Sequence, residues 1–301
     1  MTSPGRQTYI NRRKNRTTKS NERARWALIY LGRSCLIILF AWAFIWFVNY
    51  RKANADPAPT FADNELMHVV VPAGVDAEEI DYDGFHVSFN PRHHVPNYVS
   101  WQLTKAKVDG KVKRKSNFAE DPDVPGCAKL DDYRHSGYDR GHMAPAGDMK
   151  WSEKAMKQCH FLTNVAPQNH DLNNGVWNAI EQRTRDWVLL EDSLIIISGP
   201  VLKDDNLEKI GSSGVTVPRR FFKIIMAPNT YPPMILAFMV DNRNVEHNYE
   251  WYTTTVDKIE EATGMDFFSS LPDPIETKIE RGHGLSAWKN YMRIKQRERN
   301  L

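Results

Sequence analysis

Apolar positions along this chain follow three kinds of pattern. The first is one long uncharged run, Ser34 to Val48, reading SCLIILFAWAFIWFV. Joined to Trp26–Gly32, with Arg33 near one edge, it exceeds the roughly 20 residues a helix needs to cross a bilayer. The second is a set of short β-patterned runs. His86–Asn90 and Tyr98–Leu103 read as successive strands separated by a Pro-containing turn. Phe161–Val165 is strand-like and stops at Pro167. Leu194–Ser198, closed by Gly199-Pro200, has the pattern of a central strand buried on both faces. Phe221–Met226 and Met234–Val240 read as a hairpin around residues 229–233. The third pattern is helical. Residues 173–190 space their apolar side chains as an amphipathic helix, and Thr255–Glu260 opens another that Gly264 ends. Strands interspersed with helices predict an α+β domain: a central, mainly antiparallel sheet flanked by helices. No internal repeat or long low-complexity tract interrupts it.

Charge divides the chain more sharply than hydropathy does. With 301 residues and 41% apolar side chains, it can bury the core of one moderate domain behind an N-terminal appendage. Up to Lys52 there are eleven Lys and Arg against Glu22 alone, a net of +10, so the total of +3 leaves −7 for residues 53–301. An acidic body is not built to coat nucleic acid through a broad basic surface. Any polyanion has to be met by a local cluster, such as the region of Arg140, Arg183 and Arg185. The basic excess ahead of the apolar run predicts a cytoplasmic N-terminus and a body on the other side of the membrane, with Trp42, Trp46 and Tyr50 at the far interface. Ala53-Asn54-Ala55 has the form of a signal-cleavage site, but Arg51 and Lys52 just before it oppose cleavage. A retained anchor is therefore the expectation, facing the periplasm from a bacterial inner membrane. A cleaved, secreted form and a mitochondrial transit peptide are the alternatives. The expected layout is a basic tail over 1–25, an anchor or uncleaved signal over 26–50, and a linker over 51–65. The functional domain follows over 66–285, then a basic C-terminal tail over 286–301. Cys35 is a small apolar residue in the run. Cys127 and Cys159 form one disulfide in an oxidising compartment or stay free thiols in a reducing one, and the lack of a Cys-x-x-Cys pair argues against a structural zinc ribbon.

The chemistry concentrates in two segments. Tyr138-Asp139-Arg140-Gly141-His142 sets a cation beside a titratable base at what reads as a tight glycine turn. Asn164-Val165-Ala166-Pro167-Gln168 and Leu172-Asn173-Asn174-Gly175-Val176-Trp177 then supply carboxamides, and Glu181 a carboxylate. Together they offer a base for water, oxygen donors for a hard metal, and a cation for developing negative charge, which is what cleaving a phosphodiester requires. The order and spacing, DRGH followed by N-x-x-P-Q-x4-N-x3-W-x3-E, resemble the DNA/RNA non-specific endonuclease family over about Asn90 to Glu276.

The resemblance implies a ββα-metal (His-Me finger) fold and hydrolysis of DNA and RNA with Mg²⁺ or Mn²⁺. His142 becomes the general base and Asn173 the metal ligand. Asn173 equally suits the N-cap of the following helix. Glu181 lies eight residues further on, about 80° off register and two turns along an α-helix, and is expected to hold a metal-bound water. Arg140 is expected to stabilise the transition state, with Arg185 pairing to phosphate or acid. Asp139 orients Arg140 or its loop, and Asn164 and Gln168 form polar scaffold. His135, His160 and His170 read as bystanders, and Trp177 as core. The segments Gly214–Pro218 with Phe221-Phe222-Lys223, and Thr263–Phe268 with Leu271-Pro272, resemble structural parts of the family. Family members are often dimers, so a homodimer is an open expectation. The other readings are a phosphodiesterase or nuclease of restricted substrate, and a membrane-tethered envelope protein that keeps the fold without activity.

Overall fold

The computed structural model describes residues 38–46, 63–114, 117–282 and 284–300, and the chain divides into two units, Met1–Ala58 and Pro59–Leu301. In the first unit residues 38–46 are helical, with Ile38, Leu39, Phe40, Trp42, Phe44, Ile45 and Trp46 exposed. No helix among the described residues is long and apolar enough to cross a membrane. The helix over 38–46 falls inside the predicted span. The rest of that span, the basic segment and Ala53-Asn54-Ala55 lie outside the described residues, so the expected N-terminal transmembrane helix is not part of the observed fold.

Among the described residues the second unit forms the strands β1 (Val69–Val70), β2 (Glu78–Asp81), β3 (His86–Asn90), β4 (Val95–Thr104), β5 (Asp139–His142), β6 (Val165–Gln168), β7 (Ser193–Pro200), β8 (Lys209–Ile210), β9 (Val215–Thr216), β10 (Arg220–Ala227), β11 (Met234–Asp241), β12 (Thr253–Thr254) and β13 (Asp266–Phe267). Seven of them form one sheet in the order β12-β11-β10-β7-β4-β3-β2, with every neighbouring pair antiparallel. The apolar run Leu194–Ile197 is thus the central strand that its pattern predicts, paired to β4 through Trp101↔Ile196 and to β10 through Ile197↔Ile224. The β10–β11 hairpin closes from Ala227↔Met234.

Side-chain alternation splits the core into two layers, one on each face of this sheet. Trp101, Leu103, Leu194, Ile196, Phe221, Ile225 and Phe238 join the layer that includes Met143, Leu172, Trp177 and Ile180. Tyr98, Ile195, Ile197, Phe222, Ile224 and Met226 join the other, which packs on Leu66, Val256, Ile259, Phe267 and Ile275. A helix Val256–Thr263 covers this second face, capped by the Thr255 hydroxyl at its start and by Gly264, at φ 77°, at its end. The basic stretch at the C-terminus is helical over Gly284–Arg299, and its Trp288 and Met292 are buried in the first layer.

The site's own framework lies on the first face. β5 and β6 form a separate antiparallel pair, with His142↔Val165 and Asp139↔Gln168 in register. The chain then passes through Asn173–Trp177, a π-helical turn, into the long helix Asn178–Glu191. Two local readings change here. Residues 162–164 form a 3₁₀ turn before β6, not a strand, and the Asn164 side chain at its end bonds the backbone of Ala144 and Cys159. The helix expected over 173–190 carries a wide first turn, with Gly175 outside helical geometry (φ −93°, ψ −111°).

Candidate active site

Arg-Gly-His is extended strand, not a turn, and its glycine serves close packing. A Cβ at Gly141 would lie 2.2 Å from the Gln168 Oε1 and 2.6 Å from its Cβ. The two strands can approach across this pair only if position 141 has no side chain. His142 then projects next to Phe118 and His160, with ring centroids 4.8 and 5.0 Å away. Its Nε2 is buried without a hydrogen-bond partner. Burial, helped by the charges of His160 and Arg114, pushes the imidazole down to about 3, so the ring is neutral throughout the physiological range.

Asn164 supports this strand from below. Its Oδ1 accepts from the Ala144 N–H at 2.9 Å, and its Nδ2 donates to the carbonyls of Ala144 and Cys159 at 2.9 and 2.8 Å. The chain just past His142 is thereby tied to the loop before β6. Gln168 is fully buried against Gly141, and its amide has no hydrogen-bond partner.

Asn173 opens the π-helical turn. Its Nδ2 donates to Asp139 Oδ2 at 2.9 Å, an oxygen that also meets His170 Nδ1 at 3.0 Å. Asp139 therefore orients Asn173 and not Arg140. With the amide nitrogen committed, the carbonyl oxygen of Asn173 is the atom left to act as a ligand. The helix is capped by Asn169, whose Oδ1 accepts from the N–H of Asp171 and Leu172, so the N-cap alternative for Asn173 falls away. Gly175 is needed where the turn widens, since a Cβ there would stand 2.8 Å from the His247 ring. π-Turns inside helices recur at functional sites because they re-aim the side chains around them.

Glu181 sits one helical segment further, above a buried lysine. Lys223 of β10 is 1% exposed, with its Nζ 4.6 Å from the Trp177 ring and 5.1 Å from the Trp101 ring. Burial pushes Glu181 up and Lys223 down, and each charge pulls the other back toward ionisation. Asp148 completes the group, accepting from Arg185 Nη1 at 2.9 Å and from the Trp101 N–H at 3.0 Å. Burial raises its carboxyl against the opposing pull of Arg185 and Lys223. Two acids and two bases, with Lys223 and Asp148 buried and Glu181 and Arg185 half-buried, hold near-neutral charge at the floor of the site.

Asp139, Arg140, His142, Asn173, Glu181 and Arg185 all line one cleft of about 1310 Å³, whose rim is basic through Lys111, Lys113, Arg114, Arg134 and Lys150. Arg140 is exposed, its guanidinium 5.0 Å from the Phe118 ring. The positive cluster that an acidic body requires is therefore present, with a different membership. Arg183 is on the outer face of the helix, paired with Asp186 at 3.2 Å, and does not line the cleft.

The profile of the DNA/RNA non-specific endonuclease family matches residues 62–274. The chain belongs to that family. It is 34% identical over 212 residues to the mitochondrial nuclease EXOG of Danio rerio, covering 65% of this chain and 62% of the relative. It is 31% identical over 252 residues to a nuclease of Nostoc, covering 76% and 90% of the two chains. A solved structure described as the EndoG/EndoGI complex matches with a TM-score of 0.60 at 27% identity, over 65% of this chain and 87% of that one. The chain spans about three-fifths of the length of the Danio rerio EXOG.

Within this endonuclease-family site, four residues escaped the sequence reading. Lys223 lay in a segment read as structural, and an otherwise apolar stretch of strand gives no sign of the lysine's partners on other elements. Asp148 had no motif around it. His160, read as a bystander, stacks edge-on against His142, with its Nε2 meeting Arg114 Nε at 3.3 Å and its Nδ1 donating to the Met156 carbonyl at 2.8 Å. His170, likewise, bonds Asp139. The signal that was available is the basic run Lys111–Arg114, which the cleft uses and the charge count passed over. Arg92 pairs with Asp76 at 3.0 Å and does not line the cleft. Trp177 is core, 1% exposed. Cys127 and Cys159 are both buried free thiols, so the disulfide alternative is set aside.

Proposed function

We propose that this chain is a metal-dependent endonuclease that hydrolyses phosphodiester bonds of DNA and RNA without regard to the sugar. The observation that carries the reading is the convergence of His142, Arg140, Asn173 and Glu181 on one basic cleft. The β5–β6 pair and the helix after it act as the ββα-metal unit.

His142 is the general base. Burial keeps its imidazole neutral, and a neutral ring can take the proton of an attacking water. An incoming phosphodiester raises the proton affinity of the ring beside it, because a nearby anion favours the charged form. Basicity therefore arrives with the substrate. Arg140, exposed and braced on Phe118, stabilises negative charge growing on the phosphate oxygens. Glu181 orders water in the cleft through a carboxylate that Lys223 and Arg185 help keep ionised. Asn173 is the protein ligand for a hard cation of the Mg²⁺ or Mn²⁺ type. The donors fit, since Asp139 commits the amide nitrogen and leaves an oxygen, the atom such cations take. When bound, the cation supplies Lewis-acid stabilisation of the phosphate and its leaving oxygen.

Plasmid nicking by the purified protein, with and without chelator, tests the activity. Turnover is expected with Mg²⁺, on DNA and RNA alike, and loss with chelator; chelator-insensitive nicking contradicts the metal. The charge pattern before Ser34 further supports a membrane-attached form with the domain on the non-cytoplasmic side. Protease added outside sealed, right-side-out vesicles should then degrade residues 66–285, and full protection would reverse the topology. A homodimer, as the family likeness implies, is read by sedimentation.

A further inference from the structure

Behind the cleft wall, the base itself touches a second set of ligating groups. His142, Cys159 and His160 each offer one ligand atom, and these atoms all lie within 4.8 Å of one another. Cys159 Sγ and His160 Nδ1 are already 3.4 Å apart, and the His142 Nε2 is buried with no partner. We propose that these three side chains form a binding site for a soft or borderline divalent metal ion such as Zn²⁺, distinct in chemistry from the oxygen-ligand site at Asn173, and that its occupancy switches the enzyme off by capturing His142. The inhibitory half of this inference rests on the role proposed for His142; the binding half does not.

The donor set argues for the class of ion. Two imidazole nitrogens and one sulfur suit Zn²⁺ and its soft neighbours, whereas Mg²⁺ takes oxygen and is not drawn to this set. Ligand atoms of a tetrahedral zinc site stand closer than 4.8 Å to each other, so small side-chain rotations complete it. His160 gives up one of two present bonds, to the Met156 carbonyl or from Arg114. Arg114 is an exposed side chain at the cleft and can swing aside. Cys159 gives up its bond to the Met156 carbonyl at 3.2 Å. Its thiol is pushed up to about 12 by burial, so the metal binds as the S–H bond breaks, the electron pair stays on sulfur to form the metal–sulfur bond, and the proton leaves to solvent. A water from the cleft fills the fourth position. The consequence is direct: a ring nitrogen that donates its lone pair to a metal fixes the imidazole and removes it from proton transfer.

Cobalt(II) added to the full-length protein in excess Mg²⁺ makes the site visible. A thiolate-to-cobalt band in the near ultraviolet is expected, together with tetrahedral visible bands, displaced by Zn²⁺ and untouched by further Mg²⁺. Cys159→Ala should abolish the thiolate band and weaken Zn²⁺ inhibition of nicking by at least ~10-fold, since losing even an outer-shell partner of a metal ligand costs that much, with its Mg²⁺-supported nicking unchanged. Absence of the band in the wild type, or its persistence in Cys159→Ala, overturns the site. Should that variant fold poorly, zinc-edge X-ray absorption on the wild type decides. One sulfur at about 2.3 Å with nitrogens at about 2.0–2.1 Å supports the inference, and an all-oxygen shell refutes it. The two proposals fail separately: a fully active His142→Ala removes the base role and leaves the cobalt result standing, and a missing cobalt band leaves the base role intact.

Discussion

The two faces of the central sheet are built from the same strands to opposite ends. On β10, Phe222, Ile224 and Met226 point into a layer made almost wholly of hydrocarbon. One residue out of phase, Phe221, Lys223 and Ile225 point toward Trp177 and the site helix. That face buries Lys223 and Asp148 and holds Arg185 and Glu181, half-buried, beside them. Burying charge costs several kcal/mol per ion before pairing offsets it, while burying an isoleucine stabilises by roughly 1.5–3 kcal/mol. The far face is packing alone, whereas the near face combines an extensive apolar layer with charged groups held at a fixed place under a cleft.

The sharpest way to break this division is at the base. His142→Ala should lower nicking turnover by about 10²–10⁴-fold while the far-UV spectrum and melting temperature stay close to wild type; wild-type turnover in a metal-loaded sample would sink the assignment. The mirror experiment is on the far face. Ile224→Ala, fully packed at 1% exposure, should destabilise the domain by about 2–5 kcal/mol in urea unfolding, with activity per folded molecule retained. A loss of activity at full stability would mean that the faces are not separable.

Asp139→Ala frees the Asn173 amide and should raise the Mg²⁺ concentration for half-maximal activity by about 10–100-fold, the usual cost of losing an outer-shell partner. Asn173→Ala should raise it further, and an unchanged midpoint in either variant argues against the ligand role. Lys223→Met removes the largest charge that lowers Glu181. The Glu181 carboxyl should then ionise only at higher pH, and the acid limb of the pH–rate profile should move to higher pH, with part of the lost activity recovered in alkaline buffer. A uniform loss at all pH values would reduce Lys223 to packing.

The smallest effect expected is on stability in acid. His142 falls from 6.5 to about 3 on folding, so between those values the unfolded chain binds the extra proton. Its contribution to stability is present above 6.5 and is lost as pH falls toward 3. His142→Asn should flatten the fall of melting temperature across that window.

Much of this was legible in sequence because it depends on local pattern. Alternation and β-branched runs put Leu194–Ile197 at the centre of a sheet and paired β10 with β11, since strand period and turn chemistry are properties of a few neighbouring residues. The resemblance carried by DRGH and the segment through Glu181 picked out residues that line the cleft, because β5, β6 and the helix after them lie close together in the chain and in space. Residues brought together from distant strands and loops were not legible. Nothing near Lys223 in the chain indicates that it ends between Trp101 and Trp177, and nothing near Asp139 indicates that it holds Asn173. Gly141 was visible as a glycine, but whether it served a turn or a contact depended on Gln168 lying across it. Sequence determined which chemistry this protein carries, since side-chain types and their local spacing are written in it. The tertiary structure alone decided which groups are buried beside which, and so the charge state of His142, Glu181 and Lys223, because desolvation and Coulomb interactions depend on distance through space and not along the chain.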